Sequence, residues 1–232
     1  MKTKQHRMKN LFLFLFLLVV FTSKAQDNRV SGLNSRQFTK YWKVESESPD
    51  YKVTFQGDTA EIVSPKGLTL WRKEKMSGKV TIEYDACVVV ESDGDRLSDL
   101  NCFWMASDPQ YPDNLWKREK WRSGIFLNCY SLQLYYLGYG GNHNSTTRFR
   151  RYDGDESGIT NPKARPAILK EYTDAGHLLK PNHWYHIKIT NENNRVSYYI
   201  DGERLVDFRD AEPLREGWFG FRTTLSRTRI TN

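Results

Sequence analysis

Few residues in this chain could build a metal centre or a cross-linked fold. Its 232 residues include three cysteines, Cys87, Cys102 and Cys129, and five histidines. No Cys-x-x-Cys pair or His/Cys cluster gives zinc-ligand spacing. The odd cysteine count leaves at least one thiol unpaired. Cys102 and Cys129 could bridge adjacent strands in an oxidising compartment, or all three could fill an apolar core. No complete EF-hand loop occurs, although Asp93-Gly-Asp95 and Asp153-Gly-Asp-Glu156 have calcium-loop chemistry and keep a structural calcium ion open. No cofactor motif is found. Repeats, low-complexity tracts and Pro/Ser-rich linkers are absent, and helical periodicity is nearly so. These absences exclude solenoids, helical bundles and multi-domain strings.

The chain also lacks a membrane-spanning run. The apolar stretch 11–21 is about half the roughly 20 residues a spanning helix needs. Basic Lys2, Lys4, Arg7 and Lys9 precede it, and the small residues Ser23 and Ala25 follow it. This is the layout of a cleaved signal peptide over residues 1–25, which predicts a secreted or periplasmic protein. The five charged residues of that segment are all basic, so of 35 Lys and Arg thirty lie beyond it, against 28 Asp and Glu. The overall excess of basic charge is therefore mostly a property of the leader. A nucleic-acid partner loses its main support, and no membrane span is expected.

What is present is alternation. Tyr185, Ile187 and Ile189 alternate with His186, Lys188 and Thr190, and Val196, Tyr198 and Ile200 with Ser197 and Tyr199. Asn191-Glu-Asn-Asn194 and Asp201-Gly202 supply hairpin turns. The run Gly217-Trp-Phe-Gly-Phe-Arg222 reads as a closing strand. Further strands are expected at 51–55, 61–63, 68–71, 79–90, 101–105, 124–130, 131–139 and 147–152. Residues 163–174 read as a loop crossing the sheet, and 177–180 as one helical turn. Ile187, Ile189, Val196, Tyr198, Ile200, Phe219 and Phe221 should share one core.

The Trp184-led strand, Asp-Gly turn and Gly-x-x-Gly-aromatic strand resemble the concanavalin A-like lectin/glucanase superfamily. The resemblance implies an all-β fold, a concanavalin A-like antiparallel β-sandwich (jelly roll), over residues 41–232, preceded by a lead segment at 26–40. The runs Asn101-Cys-Phe-Trp-Met-Ala-Ser-Asp-Pro109, Leu134-Tyr-Tyr-Leu-Gly-Tyr-Gly-Gly-Asn-His143 and Tyr152-Asp-Gly154 further resemble a secreted bacterial family known only as a domain of unknown function from glycan-degradation loci. That likeness implies a glycan partner and supplies no catalytic residues.

Strand parity supplies candidates. In 124–130, Ile125, Leu127 and Cys129 form one side and Phe126, Asn128 and Tyr130 the other. In 131–139, Leu132, Leu134 and Tyr136 alternate with Gln133, Tyr135, Leu137 and Tyr139. Arg148, Arg150 and Tyr152 share a side in 147–152. The expected ligand face therefore carries Asn128, Gln133, Tyr135, Arg148 and Arg150, with Tyr139 and His143 at its rim. Such a face suits sugars, because rings stack on pyranoses while amides and guanidiniums bind hydroxyls or carboxylates in pairs. Trp104 is a further stacking candidate. The segment 112–122, rich in aromatic residues and cations, is a candidate groove lip through Arg122.

Tyr139, His143 and Arg148 are the residue types that uronate β-elimination needs: an acid, a base and a cation against the carboxylate. The glucanase spacing Glu-x-Asp-x-x-Glu is missing. The Gln-x-His pattern of alginate-type lyases is also missing, since Gln133 stands two residues before Tyr135. The expectation is a polysaccharide lyase-like or related glycan-cleaving enzyme acting on an acidic polysaccharide or oligosaccharide. A non-catalytic carbohydrate-binding module and a 3-keto-glycoside-cleaving sandwich domain remain as alternatives.

Overall fold

The computed structural model describes residues 26–27 and 30–232; the leader expected at 1–25 lies outside the described residues. Among the described residues fourteen strands are formed: β1 (Gln26–Asp27), β2 (Trp42–Ser46), β3 (Lys52–Gln56), β4 (Thr59–Arg72), β5 (Met76–Ser77), β6 (Val80–Val88), β7 (Leu100–Ser107), β8 (Gln133–Gly140), β9 (Thr146–Asp153), β10 (Lys170–Tyr172), β11 (Tyr185–Glu192), β12 (Arg195–Ile200), β13 (Glu203–Arg209) and β14 (Glu216–Thr231). Every pairing is antiparallel except the two-residue match of β1 with β6. No helix among the described residues exceeds five residues, and none is long and apolar enough to cross a membrane.

Two layers share two long strands. The front layer runs β10-β9-β8-β7-β14-β4-β2, and the back layer β13-β12-β11-β6-β14-β4-β3. β14 changes layer at Leu225, where φ is 50° and the pairing with β4 slips between Thr224 and Ser226. A bulge of this kind bends a strand sharply enough to turn a sandwich corner. Before it, β14 pairs with β7; after it, with β6.

The layers close over one apolar core. Ile187, Ile189, Val196, Tyr198, Ile200, Phe219 and Phe221 all lie in it, as the alternation predicted. Contacts between layers include Trp104 to Tyr198 at 6.1 Å and Phe149 to Phe208 at 5.5 Å between ring centroids. Val30, Leu33 and Phe38 pack into the same core. The fold is an all-β sandwich.

Some elements differ from the sequence reading. Residues 124–130 alternate in polarity yet form no strand. Ser123 and Gly124 adopt positive φ, and a 3-10 turn follows at Leu127–Ser131. Side chains hold that turn: Asn128 Nδ2 donates to the Trp121 carbonyl at 3.0 Å, and Ser131 Oγ to the Asn128 carbonyl at 2.7 Å. The stretches 61–63 and 68–71 merge into β4. Within the expected 163–174 loop, β10 adds an edge strand to β9.

Candidate functional site

Strand parity gives the front layer two faces. Cys102, Trp104, Tyr135, Leu137, Tyr139, Phe149, Phe219 and Phe221 point into the core. Asn101, Phe103, Leu134, Tyr136, Arg148, Arg150, Tyr152, Trp218 and Arg222 point outward. Register aligns them in rows. Thr69, Arg222, Asn101, Gly138 and Arg148 are successive cross-strand partners, and so are Trp71, Gly220, Phe103, Tyr136 and Arg150.

Residues 108–132 fold over part of this outer face and bury a second apolar cluster that includes Trp71, Phe103, Leu115, Cys129, Leu132, Leu134, Tyr152 and Trp218. Arg122 anchors the cover. It is fully buried, with its guanidinium 2.9 Å from Glu45 and 2.6 Å from the Leu115 carbonyl, and Asp108 at 3.7 Å. Arg118 adds a second tie, to Glu156 at 2.5 Å. Burial pushes the Glu45 carboxyl above its ordinary value despite Arg122 beside it.

Where the cover stops, a pocket of about 360 Å³ opens. Its floor and inner wall are aromatic: Tyr136 lies 5.6 Å from Phe126, which lies 5.9 Å from Tyr130. Four arginines line it, Arg96, Arg148, Arg150 and Arg222, against two carboxylates, Glu47 and Asp99. Arg96 is paired with Asp99 at 2.9 Å and Arg148 with Glu171 at 2.5 Å. Arg150 donates to the Pro166 carbonyl. Arg222 donates to the Gly124 carbonyl and to Thr69 Oγ1, its guanidinium 5.6 Å from the Phe126 ring centre. Asn101 donates to Asp99 at 3.2 Å, while its buried Oδ1 has no partner. Burial, reinforced by Asp99, raises the Tyr136 phenol, and burial raises that of Tyr130. Both are held as neutral hydroxyl groups.

The rim is a left-handed turn. Asn142, His143 and Asn144 have φ of 53°, 59° and 58°. Asparagine and histidine enter this conformation more readily than most residues that carry a Cβ. Asn144 holds the turn by a reciprocal pair with Leu179, accepting from its amide at 2.8 Å and donating to its carbonyl at 2.9 Å. Gly140 is required beneath, because a Cβ there would meet Leu179 Cδ1 at 2.3 Å. His143 is thereby left exposed at the pocket edge.

Of the residues selected from the sequence, the fold brings His143, Arg148 and Arg150 together. Tyr135 and Tyr139 face the core instead, so the expected parity of β8 is off by one. Each hydroxyl finds an interior partner. Tyr135 donates to Asp210 at 2.7 Å, and Tyr139 to the Leu178 carbonyl at 3.3 Å. Trp104 is fully buried between the layers and has no ligand-facing surface. Arg122 is locked in the cover rather than standing on a lip, and Asn128 braces the cover turn. Gln133 begins β8, half-buried and away from the pocket.

Sequence reasoning missed Arg96, Asp99, Asn101, Phe126, Tyr130, Tyr136 and Arg222. Arg222 was legible, since core-facing Phe219 and Phe221 leave it on the opposite side of β14.

The three cysteines are unpaired and buried, and burial pushes the Cys102 thiol up to about 12 and that of Cys129 to about 11. Asp95 accepts from the amides of Glu91 and Ser92, and Asp155 from that of Ser157. These calcium-loop fragments thus cap their own turns. Among the described residues no group of three or more His, Cys, Asp or Glu is placed to hold a metal.

This architecture is an antiparallel jelly-roll β-sandwich. The chain belongs to the family described as Domain of unknown function (DUF6250), which matches residues 62–232. No curated protein matches it. Among solved structures, a protein of unknown function with galectin-like fold from Bacillus subtilis is similar at TM-score 0.67 and 16% identity, covering 87% of this chain and 91% of that one. Carbohydrate-binding module CBM66 from Bacillus subtilis matches at 0.54 and 14%, over 89% and 96%. A glycosidic hydrolase matches at 0.53 and 9%, over 87% and 91%. At these identities the likeness is one of fold.

Proposed function

We propose that this chain is a secreted carbohydrate-active protein whose outer-face pocket takes an anionic sugar of a uronate-containing glycan. The observation that carries the reading is the pairing of Arg150 and Arg222 with backbone carbonyls and a hydroxyl, not carboxylates, beside the aromatic floor of Phe126, Tyr130 and Tyr136. A guanidinium in that state keeps its charge available to an incoming carboxylate, while the rings take the apolar face of a pyranose. The fold is one that carbohydrate-binding modules and a glycosidic hydrolase also use. The test is calorimetric titration with a panel of uronate polysaccharides and neutral glucans. Binding confined to the uronates is expected; equal binding to neutral glucans overturns the reading.

Cleavage by β-elimination is a second reading, favoured by His143 at the rim of the same pocket. His143 would remove the C5 proton and the arginines would neutralise the carboxylate. Tyr136, held protonated by burial, would give its proton to the leaving oxygen. The same incubations would reveal it by the ultraviolet absorbance of the unsaturated uronate. Binding without that absorbance leaves a binding module.

A further inference from the structure

We infer that Glu47 is a specificity-determining residue, one that selects uronates with free hydroxyl groups over sulfated ones. The inference rests on the anionic-sugar reading and concerns what may stand beside the bound carboxylate.

The charged groups of the pocket divide into those already committed and those still open. Asp99 is committed. It is buried, and it is held by Arg96 at 2.9 Å, by Ser98 Oγ at 2.8 Å and by Asn101 Nδ2 at 3.2 Å. Arg96 is taken up by Asp99 in turn, and Arg148 by Glu171. Arg150 and Arg222 are open, since the oxygens they bond are neutral.

Glu47 is the open carboxylate of the lining, exposed where Asp99 is buried. Its amide donates to the Gly67 carbonyl at 2.8 Å, and its Oε2 accepts from the Gly67 amide at 3.3 Å. Those two bonds dock it on β4. Gly67 also makes room for both charges. A Cβ there would lie 2.6 Å from Arg222 Nη2 and 3.1 Å from Glu47 Oε2, so the two heads gather over one bare backbone position. Among the described residues no cation forms an ion pair with Glu47.

The two open kinds of charge make opposite demands on a ligand. Arg150 and Arg222 call for an anion. Glu47 calls for a proton donor, which a sugar hydroxyl supplies in a charge-assisted hydrogen bond. A sulfate ester in place of that hydroxyl removes the donor and sets a negative charge against the carboxylate. Arg150 and Arg222 against Glu47 leave one net positive charge in the open part of the pocket, which a single sugar carboxylate neutralises. Without Glu47 the same arginines would favour the more highly charged sulfated chain.

The experiment is calorimetric titration, at fixed ionic strength, with polygalacturonate oligosaccharides and with the same oligosaccharides sulfated on their hydroxyls. The wild type should bind the unsulfated form about tenfold or more tightly. Glu47→Gln keeps an oxygen for the Gly67 amide but removes the charge, and should reduce that preference to about threefold or less. Equal or tighter binding of the sulfated form by the wild type overturns the inference and leaves anionic-sugar binding intact. An unchanged preference in Glu47→Gln, with its melting temperature preserved, overturns it as well. Absence of binding to either form overturns the anionic-sugar reading and this inference with it.

Discussion

Tyr136 and Gly138 are fitted to each other: a Cβ on Gly138 would stand 2.3 Å from the Tyr136 hydroxyl oxygen. The two residues share the outward side of β8, so the phenol lies along the strand over the space that glycine leaves. Gly138→Ala should push the ring toward Phe126 and narrow the pocket. We expect a stability loss of about 1–3 kcal/mol from the overpacking, together with a clear fall in oligosaccharide affinity. Urea denaturation and titration on the same preparation would check both; unchanged affinity would show that Tyr136 does not shape the site.

Tyr139 offers the opposite expectation. It is core-facing, and its hydroxyl is engaged by the Leu178 carbonyl and the Tyr185 phenol. Tyr139→Phe should leave glycan affinity and any turnover within about twofold of wild type, with a stability change of about 0.5–1.5 kcal/mol. A large loss of activity in this variant alone would restore Tyr139 to the site.

Arg122 should be indispensable for a structural reason. Its removal leaves Glu45 and Asp108 buried without their cation, so Arg122→Ala should cost about 3–5 kcal/mol. Glu45 lies above its ordinary 4.5 in the fold. Such a group favours the folded state below its unfolded value and loses that contribution as pH rises through the folded one. The penalty of Arg122→Ala should accordingly be smallest at acid pH, a trend that thermal melts across a pH series would reveal.

His177 predicts a second pH effect. Burial alone would lower it, but hydrogen bonds to Asp174 at 2.8 Å and Glu203 at 3.1 Å outweigh that and raise it from 6.5. Its ring also stacks on Tyr172 at 4.1 Å, and its carbonyl accepts from Thr147. The stabilisation is complete below 6.5 and fades as pH rises through the raised value. Asp174, lowered chiefly by the same hydrogen bond, contributes above 3.8 and loses its effect as pH falls through its folded value. The melting-temperature gap between wild type and His177→Ala should be wide near about pH 6 and narrow by about pH 9. A gap independent of pH would contradict the assignment.

The fold was readable because its strongest signal is local. Alternation around Ile187, Ile189, Val196, Tyr198, Phe219 and Phe221 picks out core residues without knowledge of pairing. The site was half readable. Arg148 and Arg150 follow from the parity of one strand, but β8 misled because tyrosine suits either face. Tyr135 is satisfied by Asp210, a residue of the loop that follows β13. The gathering of Arg222, Asn101 and Arg148 in one row depends on registers between strands far apart in sequence, which no local pattern carries. The turn at Leu127–Ser131 depends on side-chain bonds that override an alternating pattern.

The corner at Leu225 has a consequence for how the molecule comes together. β14 supplies an inner strand to both layers, pairing with β4 and β7 before the bulge and with β4 and β6 after it. Until residues 216–231 are in place, neither layer can join its halves, and the pocket arginines on β9 have no Arg222 to face. Amide protons of β7 and β6 should therefore exchange with solvent as one unit, opening only in global unfolding. Folding should be slow and late, set by closure of long chain loops rather than by any single hairpin.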